Sequence, residues 1–278
     1  RKAVVTRHQL SMPIRRILLA LDASGTSVSV LEAAVLFASR MEAELLGLFV
    51  EDVNLLRFAA LPFAREVGFP SARTRRLGSA EMERALRAQA SLAQTALTAA
   101  AMRQGVRFSF RIVRGEVPEQ VLEAASEVDL VAIGMTHRQV MRVSSATRLI
   151  AGTTSRPVLL LPSGASPQPP VLAVYDGSPE STQALLTAGR LAKMGNGVLT
   201  VLVPDAPASL RQEIATQLEG SGLALRFNAL PRMELSTLMQ ALYRESAGTL
   251  VLGANLRLQK GTLDELLQRL NCAVLLIR

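Results

Sequence analysis

The chain has 278 residues, 49% of them hydrophobic, and its 31 basic and 23 acidic residues give a net charge of +8. This length is long for one hydrophobic core and suits two domains of ordinary size. The single cysteine, Cys272, excludes an intrachain disulfide and a thiolate metal cluster, and no apolar run reaches the roughly 18–20 residues of a membrane-spanning helix.

Strands and helices alternate along the first part of the chain. Strands are predicted at 17–21, 44–50, 106–113, 130–133 and 158–161, and helices at 28–40, 79–103, 117–126 and 145–153. In the first helix, Val30, Ala34 and Phe37 recur at helical spacing. The long helix begins at Ser79 and ends before Gly105, which are ordinary start and stop signals.

One segment of this part, 55–78, carries no predicted element. It reads LLRFAALPFAREVGFPSARTRRLG and holds three of the eight phenylalanines together with five arginines. We expect this insertion to be a lid packed on its own domain. The alternatives are a surface that docks a partner and one that touches a membrane.

A second part of the chain repeats the alternation after a proline-rich connector at 163–170. Its strands are predicted at 171–174, 198–202, 223–230, 249–252 and 274–277, and its helices at 182–191, 208–218, 236–246 and 263–270. Continuous apolar strands between amphipathic helices are typical of a parallel sheet covered on both faces. We therefore predict an α/β fold with two doubly wound, parallel five-stranded sheets related by a pseudo-twofold axis.

The two parts also repeat each other in sequence. RRILLALDAS at 15–24 matches PPVLAVYDGS at 169–178, and DLVAIGMTHR at 129–138 matches GTLVLGANLR at 248–257. A period above 100 residues indicates two copies of a whole domain rather than a solenoid. We place the first domain at 15–162 and a shorter, degenerate second domain at 169–278, and we expect their last strands to pair.

Candidate ligand contacts follow two strands of each copy. Asp22 comes directly after the first strand and Gly134 lies at the end of the fourth. Ligands of doubly wound sheets bind beyond the carboxyl ends of the strands. An aspartate there can accept a hydrogen bond from an adenine amino group or a ribose hydroxyl, and a glycine lets backbone N–H groups approach a phosphate. The alternative is that Asp22 caps the next helix and Gly134 only turns the chain.

Three motifs together resemble the universal stress protein family. They are the Asp-x-Ser openings of both copies, the helix entry GEVPEQVLEAA at 115–125, and the closing segment from 129 to 162. The resemblance covers nearly everything from Arg15 to Arg278. It implies a fold of the adenine-nucleotide α-hydrolase-like type, with domains paired through their last strands.

Both copies depart from the glycine loop of the nucleotide-binding members, Gly-x2-Gly-x9-Gly-[Ser/Thr]. In the first copy, Gly134 is present but His137 replaces the second glycine, and the final dyad falls at Ser144-Ser145, three residues early. In the second copy, Leu256 replaces that glycine and the loop is five residues short. A side chain at such a position hinders close approach of the backbone to a phosphate.

The first copy keeps polar residues around this loop, so we place any adenine nucleotide, as ATP, ADP or AMP, in the first domain. The candidate contacts are Asp22, Val50, Gly134, His137, Arg138, Ser144 and Ser145. For His137 a solvated loop position is the alternative. We predict no catalytic residue, and no metal beyond magnesium that accompanies a nucleotide.

Charge is divided unevenly between the halves. Residues 1–162 hold 21 basic and 14 acidic residues, whereas residues 163–278 hold 10 and 9. The densest basic group lacks interleaved aromatic residues, so we do not expect nucleic acid as a partner, nor a membrane. The first sixteen residues lack the apolar core of a signal peptide, and we expect a cytoplasmic protein.

The sequence therefore predicts a non-enzymatic stress-response protein that acts as a sensor or adaptor toward a protein partner not yet identified. The sequence leaves open whether two such chains also associate as a homodimer. Two alternatives stand beside this reading: a weak ATPase or nucleotide-transferring enzyme of the same superfamily, and an interaction module that binds no small molecule.

Overall fold

The computed structural model describes residues 14–21, 28–63, 65–68, 73–76, 78–135, 144–205, 207–256 and 263–278. Within these ranges no helix is both long and apolar enough to cross a membrane.

The first half forms strands and helices close to those predicted. Its elements are β1 (Arg16–Leu21), α1 (Val28–Arg40), β2 (Glu44–Asp52), α2 (Val53–Ala59), β3 (Arg65–Gly68), β4 (Arg73–Arg76), α3 (Ser79–Gln104), β5 (Phe108–Gly115), α4 (Val117–Ala125), β6 (Leu130–Met135), α5 (Ser145–Thr153) and β7 (Val158–Pro162). The predicted bounds of α1 and α5 are confirmed to the residue.

The second half repeats the pattern without the insertion. Its elements are β8 (Val171–Val174), α6 (Pro179–Lys193), β9 (Val198–Pro204), α7 (Ala208–Gln217), β10 (Ala224–Leu230), α8 (Leu235–Arg244), β11 (Thr249–Gly253), α9 (Leu263–Arg269) and β12 (Ala273–Ile277). Helix α6 begins three residues earlier than predicted, because the Ser178 side chain caps it by accepting a hydrogen bond from the Ser181 N–H.

The predicted α/β fold with a mostly parallel sheet is confirmed. The two five-stranded sheets are hydrogen-bonded to each other into one ten-stranded sheet of order β10-β9-β8-β11-β12-β7-β6-β1-β2-β5. Within each half the neighbours are parallel, and the outward order from the junction is the same in both halves. The two halves therefore share one topology.

The expected pairing of the last strands is the junction of this sheet. β7 and β12 are antiparallel, with Leu159 opposite Leu275 at the centre of the paired segment. Both strands are buried along their whole length. An apolar strand at an open sheet edge exposes unpaired backbone groups, and here each last strand covers the other.

Two hydrophobic layers enclose the sheet, one on each face. One layer packs α1, α3 and α6 on the sheet through residues such as Phe37, Leu97 and Leu185, and the other holds α4, α8 and α9 through residues such as Val121 and Leu238. Burial on both faces explains why the central strands read as continuous apolar runs.

The insertion between β2 and α3 contains structure that the sequence analysis treated as irregular. Asp52 caps α2, its carboxylate accepting a hydrogen bond from the Asn54 N–H at 2.8 Å. β3 and β4 then form a two-stranded antiparallel hairpin separate from the main sheet.

Candidate functional site

The topology brings several predicted site residues to one edge of the sheet. In the first half, β1 has β2 on one side and β6 on the other, and all three strands run parallel. The connection from β1 leads to β2, whereas β6 arrives later from the far side of the half. The carboxyl ends of β1 and β6 therefore flank the topological switch point, where doubly wound sheets bind ligands.

Val50 lies beside this switch point. The pairing of β1 with β2 ends at Leu21 and Phe49, so Val50 is the first residue of β2 beyond the end of β1. On its other side it is in register with Val113 of β5. Its side chain is fully buried, so Val50 offers a ligand its backbone rather than its side chain.

Gly134 lies on the opposite side of the β1 end, in register with Leu161 of β7. A Cβ atom added to Gly134 would stand 2.8 Å from Cγ1 of Val30 in α1. Val30 is fully buried, so it has little room to move away. The glycine is required here by close packing of α1 on β6, whether or not a phosphate also approaches it.

Ser144 and Ser145 begin α5, which returns from the end of β6 to the start of β7. Their helix therefore starts at the same carboxyl edge of the sheet. The Ser144 hydroxyl accepts a hydrogen bond from the Thr147 N–H at 3.0 Å and lies 2.8 Å from the Thr147 hydroxyl. Both serines are exposed, but Ser144 is already used as the helix cap.

Three predicted contacts, Asp22, His137 and Arg138, lie outside the described residues. The structure thus brings Val50, Gly134 and the start of α5 to one edge, and those three stay predictions.

One neighbouring group was missed by the sequence analysis. Glu51 follows Val50 and is only 8% exposed, and its carboxylate pairs with the Arg114 guanidinium at 2.9 Å. Arg114 also reaches Glu83 of α3 at 3.3 Å, and these two carboxylates raise the pKa of Arg114, Glu51 most strongly. Through these ion pairs, Arg114 links β5 to β2 and to α3 beside the switch point. Register alone could have indicated it, since Glu51 and Arg114 are cross-strand partners.

The equivalent edge of the second half is described completely around its aspartate. The Asp176 Oδ1 atom accepts a hydrogen bond from the Ser178 N–H at 3.0 Å. Burial by itself raises the pKa of the Asp176 carboxyl, but hydrogen bonds from Ser178 and Ser181 outweigh it and the net pKa is lowered. Asp176 thus organises the turn that leads into α6.

The start of α6 is packed against the end of β11. Asn255 Nδ2 donates a hydrogen bond to Glu180 Oε1 at 2.9 Å. A Cβ atom on Gly253 would lie 3.1 Å from the Glu180 Cβ and 3.2 Å from the Ser181 nitrogen. In the second half, the first turn of α6, which includes the Glu180 carboxylate, therefore packs against the carboxyl end of β11.

Tyr175, directly before Asp176, is a further buried polar residue at this edge. It is fully buried at the end of β8, and its hydroxyl donates to Glu213 Oε1 at 2.7 Å. Burial, reinforced by the Glu213 carboxylate, raises the pKa of Tyr175 to about 12. Near neutral pH the phenol therefore stays protonated and acts as a structural hydrogen-bond donor to Glu213.

A cavity of about 460 Å³ opens along α1 in the first half. Its walls include α1, the end of α3 and the turn after β7, and two of its lining residues, Glu32 and Arg103, form an ion pair at 2.7 Å. Gly164 of that turn donates its N–H to the Ser29 hydroxyl at 3.2 Å. Among the described residues of the predicted site, Val50, Gly134, Ser144 and Ser145 do not line this cavity.

No cluster of metal-ligating side chains is found among the described residues. Cys272 is buried, and burial raises the pKa of its thiol to about 11, so it is not a reactive thiolate.

Comparison with known proteins supports the family reading. The family model described as the universal stress protein family matches residues 13–162. This chain belongs to the universal stress protein family, whose members are stress-response proteins. A search of curated proteins finds no significant match.

Solved structures match the whole chain in fold. A universal stress protein from Archaeoglobus fulgidus is 14% identical with a TM-score of 0.70, covering 94% of this chain and 98% of that one. Two Pseudomonas aeruginosa proteins also match. One, of unknown function, is 15% identical with a TM-score of 0.61, covering 95% of this chain and 92% of that one. The other, provisionally assigned to the universal stress proteins, is 17% identical with a TM-score of 0.60, covering 95% and 93%. At these identities the likeness concerns the fold.

Proposed function

We propose that this protein is a non-enzymatic stress sensor or adaptor that binds one adenine nucleotide in its first half, at the carboxyl edge of β1, β2 and β6. The second half serves as a fixed pairing partner that covers the β7 edge. Nucleotide occupancy of the first half then supplies the signal that a protein partner reads.

The observation that carries this assignment is the Glu180–Asn255 hydrogen bond in the second half. It holds a carboxylate in the first turn of α6, next to Gly253, at the point where a phosphate would have to sit. A carboxylate there repels a phosphate and cancels the attraction of the helix N-terminus.

The first half differs at the matching sequence position. Four residues after Asp22 the chain has Thr26, whereas four residues after Asp176 it has Glu180. The first half also carries most of the excess positive charge. Positive charge raises the local concentration of an anionic ligand. These differences favour the first half for any nucleotide.

The backbone around Val50 supports an adenine rather than a phosphate at that end of the edge. Its peptide groups on the β1 side extend past the last β1–β2 pair. Peptide N–H and C=O groups can pair with the edge of a purine ring. The opposite end, at Gly134 and the start of α5, is the place for the phosphates.

Calorimetric titration of the full chain with ATP, ADP and AMP tests the proposal. We expect one nucleotide per chain, and we expect Asp22→Ala to weaken its binding by about 1–3 kcal/mol, the cost of losing a hydrogen-bonded partner. The matched control is Asp176→Ala, which removes the corresponding carboxylate of the second half and should leave affinity unchanged.

Three outcomes decide against the proposal. Equal affinity of Asp22→Ala and wild type removes Asp22 from the site, and loss of binding in Asp176→Ala assigns the ligand to the second half. No binding, with no nucleotide released from the denatured protein in mass spectrometry, favours the interaction module. Steady production of ADP from ATP favours the enzyme.

A further inference from the structure

We infer that the insertion between β2 and α3 is a docking surface for an anionic lipid bilayer. We call α2, the turn at 60–63 and the strands β3 and β4 the basic–aromatic lobe. This inference does not depend on nucleotide binding. It also revises two expectations from sequence, a lid packed on its own domain and no membrane partner.

Large apolar side chains of the lobe face solvent. Phe63 is 71% exposed, Phe58 49% and Leu61 39%. The Leu61 N–H donates to the Phe58 carbonyl at 3.0 Å, so these two residues lie one turn apart on the same side of the chain. A lid packed on its own domain would bury such side chains, and these are not buried.

The opposite side of α2 supplies the attachment to the protein. Ala59 is only 3% exposed, and α2 packs against α3. Arg57 pairs with Glu116 at 3.5 Å and also lies within hydrogen-bond distance of Asn54. The helix is therefore held by one face while Phe58 projects from the other.

The hairpin adds positive charge next to these apolar groups. Its register places Arg65 opposite Arg76 and Glu66 opposite Arg75. Strands β3 and β4 read Arg-Glu-Val-Gly and Arg-Thr-Arg-Arg, so the hairpin brings four arginines and one glutamate into the lobe.

Charge in the lobe is strongly one-sided. Residues 53–76 hold five arginines and a single acidic residue, Glu66. Arginine binds the phosphate of a lipid headgroup in bidentate fashion. A cluster of basic residues beside exposed apolar side chains is the pattern of proteins that lie on anionic membranes, where headgroups take the charge and the acyl boundary takes the apolar groups.

The apolar composition favours a bilayer over a nucleic acid. Single-stranded nucleic acids stack their bases on aromatic rings, for which an aliphatic side chain such as Leu61 is a poor platform. A bilayer accepts aliphatic and aromatic side chains alike. Leu55 and Leu56, both partly exposed, extend the same composition along α2.

Vesicle sedimentation with the full chain tests the inference. Unilamellar vesicles of phosphatidylcholine alone are compared with vesicles that also contain phosphatidylglycerol. We expect binding to the anionic vesicles only, and we expect it to fall as salt is raised, because exposed charges are screened.

Two variants separate the apolar and basic contributions. The double variant Phe58→Ser/Phe63→Ser should lower partitioning about tenfold or more, since it removes both exposed rings. Its matched control, Met102→Ser, changes a residue that is 74% exposed at the far end of α3, and it should bind like wild type.

Arg65→Glu is the sharper test, because Arg65 is exposed and its charge can be reversed without loss of buried contacts. Thermal stability should therefore stay the same. Partitioning should nevertheless fall about tenfold, since the local charge drops by two units. The matched control is Arg211→Glu, at an exposed position of α7 in the second half, which changes the net charge by the same amount. It should bind anionic vesicles more tightly than Arg65→Glu.

The inference is overturned by any of four results. They are no binding to anionic vesicles, equal binding to neutral vesicles, equal loss in Arg65→Glu and Arg211→Glu, and retention of binding in the phenylalanine variant. Tighter binding of single-stranded RNA than of vesicles, lost in the same variants, would assign the lobe to nucleic acid instead.

Discussion

Asn255, in the turn after β11, and Glu180, in the first turn of α6, are joined by a 2.9 Å hydrogen bond although they are 75 positions apart. This contact keeps the start of α6 against the end of β11. In the second copy, the aspartate and glycine of the repeat thus take part in the packing of α6: Asp176 bonds the Ser178 N–H and Gly253 lies against Glu180.

Gly253 should not tolerate a side chain. In Gly253→Ala the new Cβ would lie 3.1–3.2 Å from Glu180 and Ser181, two of the three nearest atoms being backbone. Because backbone cannot rotate away, we expect a loss of about 1–3 kcal/mol in the free energy of unfolding, measured with urea. Gly152→Ala, in α5 with nothing within 4 Å of the new Cβ, is the control and should be neutral or slightly stabilising.

Gly134 and Val30 should show coupled effects on stability. Gly134→Ala places a Cβ 2.8 Å from Cγ1 of the buried Val30, and a β-branched residue in a helix has essentially one rotamer. We expect Gly134→Ala to cost about 1–3 kcal/mol, and Val30→Ala to restore part of that loss. Strictly additive losses in the double-mutant cycle would show that the two side chains do not compete for the same space.

The β7–β12 junction should contribute to the stability of both halves. Leu159 and Leu275 are fully buried and directly opposite each other. Each leucine-to-alanine change should cost about 2–5 kcal/mol in unfolding free energy. The double variant should cost less than the sum, because the two residues share contacts. Leu92→Ala, at a position 70% exposed, is the control; a similar loss there would mean that burial at the junction is not the cause.

Tyr175 should titrate at high pH. The chain has two tyrosines, so in Tyr243→Phe the tyrosinate absorbance comes from Tyr175 alone. We expect that absorbance to rise as the pH approaches about 12 in the folded protein. In guanidinium it should rise near the ordinary tyrosine value of about 10.

The same shift makes stability depend on pH in a defined direction. The folded-state pKa of Tyr175 is raised, so its contribution to stability is present below about pH 10 and is lost as the pH climbs toward about 12. Tyr175→Phe should flatten this part of the stability profile. A titration of Tyr175 that coincides in folded and unfolded protein would contradict the buried Tyr175–Glu213 hydrogen bond.

Element bounds could be predicted where the signals are local. α1 follows from its apolar spacing, and α5 from the serine pair at its start, and both match the structure to the residue. The hairpin of β3 and β4 was missed because its arginine-rich strands lack the apolar alternation by which a strand is recognised.

From the sequence, the candidate site could be predicted only as a set of residues at the ends of strands, without the contacts that these residues make. The repeat located Gly134 and Gly253 at equivalent positions, but it did not indicate that one is packed against Val30 and the other against Glu180. It also missed the Glu51–Arg114 pair, which depends on cross-strand register between β2 and β5.

By itself, the sequence determined the alternation of strands and helices, the duplication and the family, because periodicity, caps and motifs act over a few residues. Only the tertiary structure decided that Leu159 lies opposite Leu275 at the junction of the sheet, that Glu180 packs against Gly253 and bonds Asn255, and that Phe63 faces solvent. Each of these depends on surfaces brought together from distant parts of the chain. Their energies come from burial and direct contact, which local sequence patterns do not record.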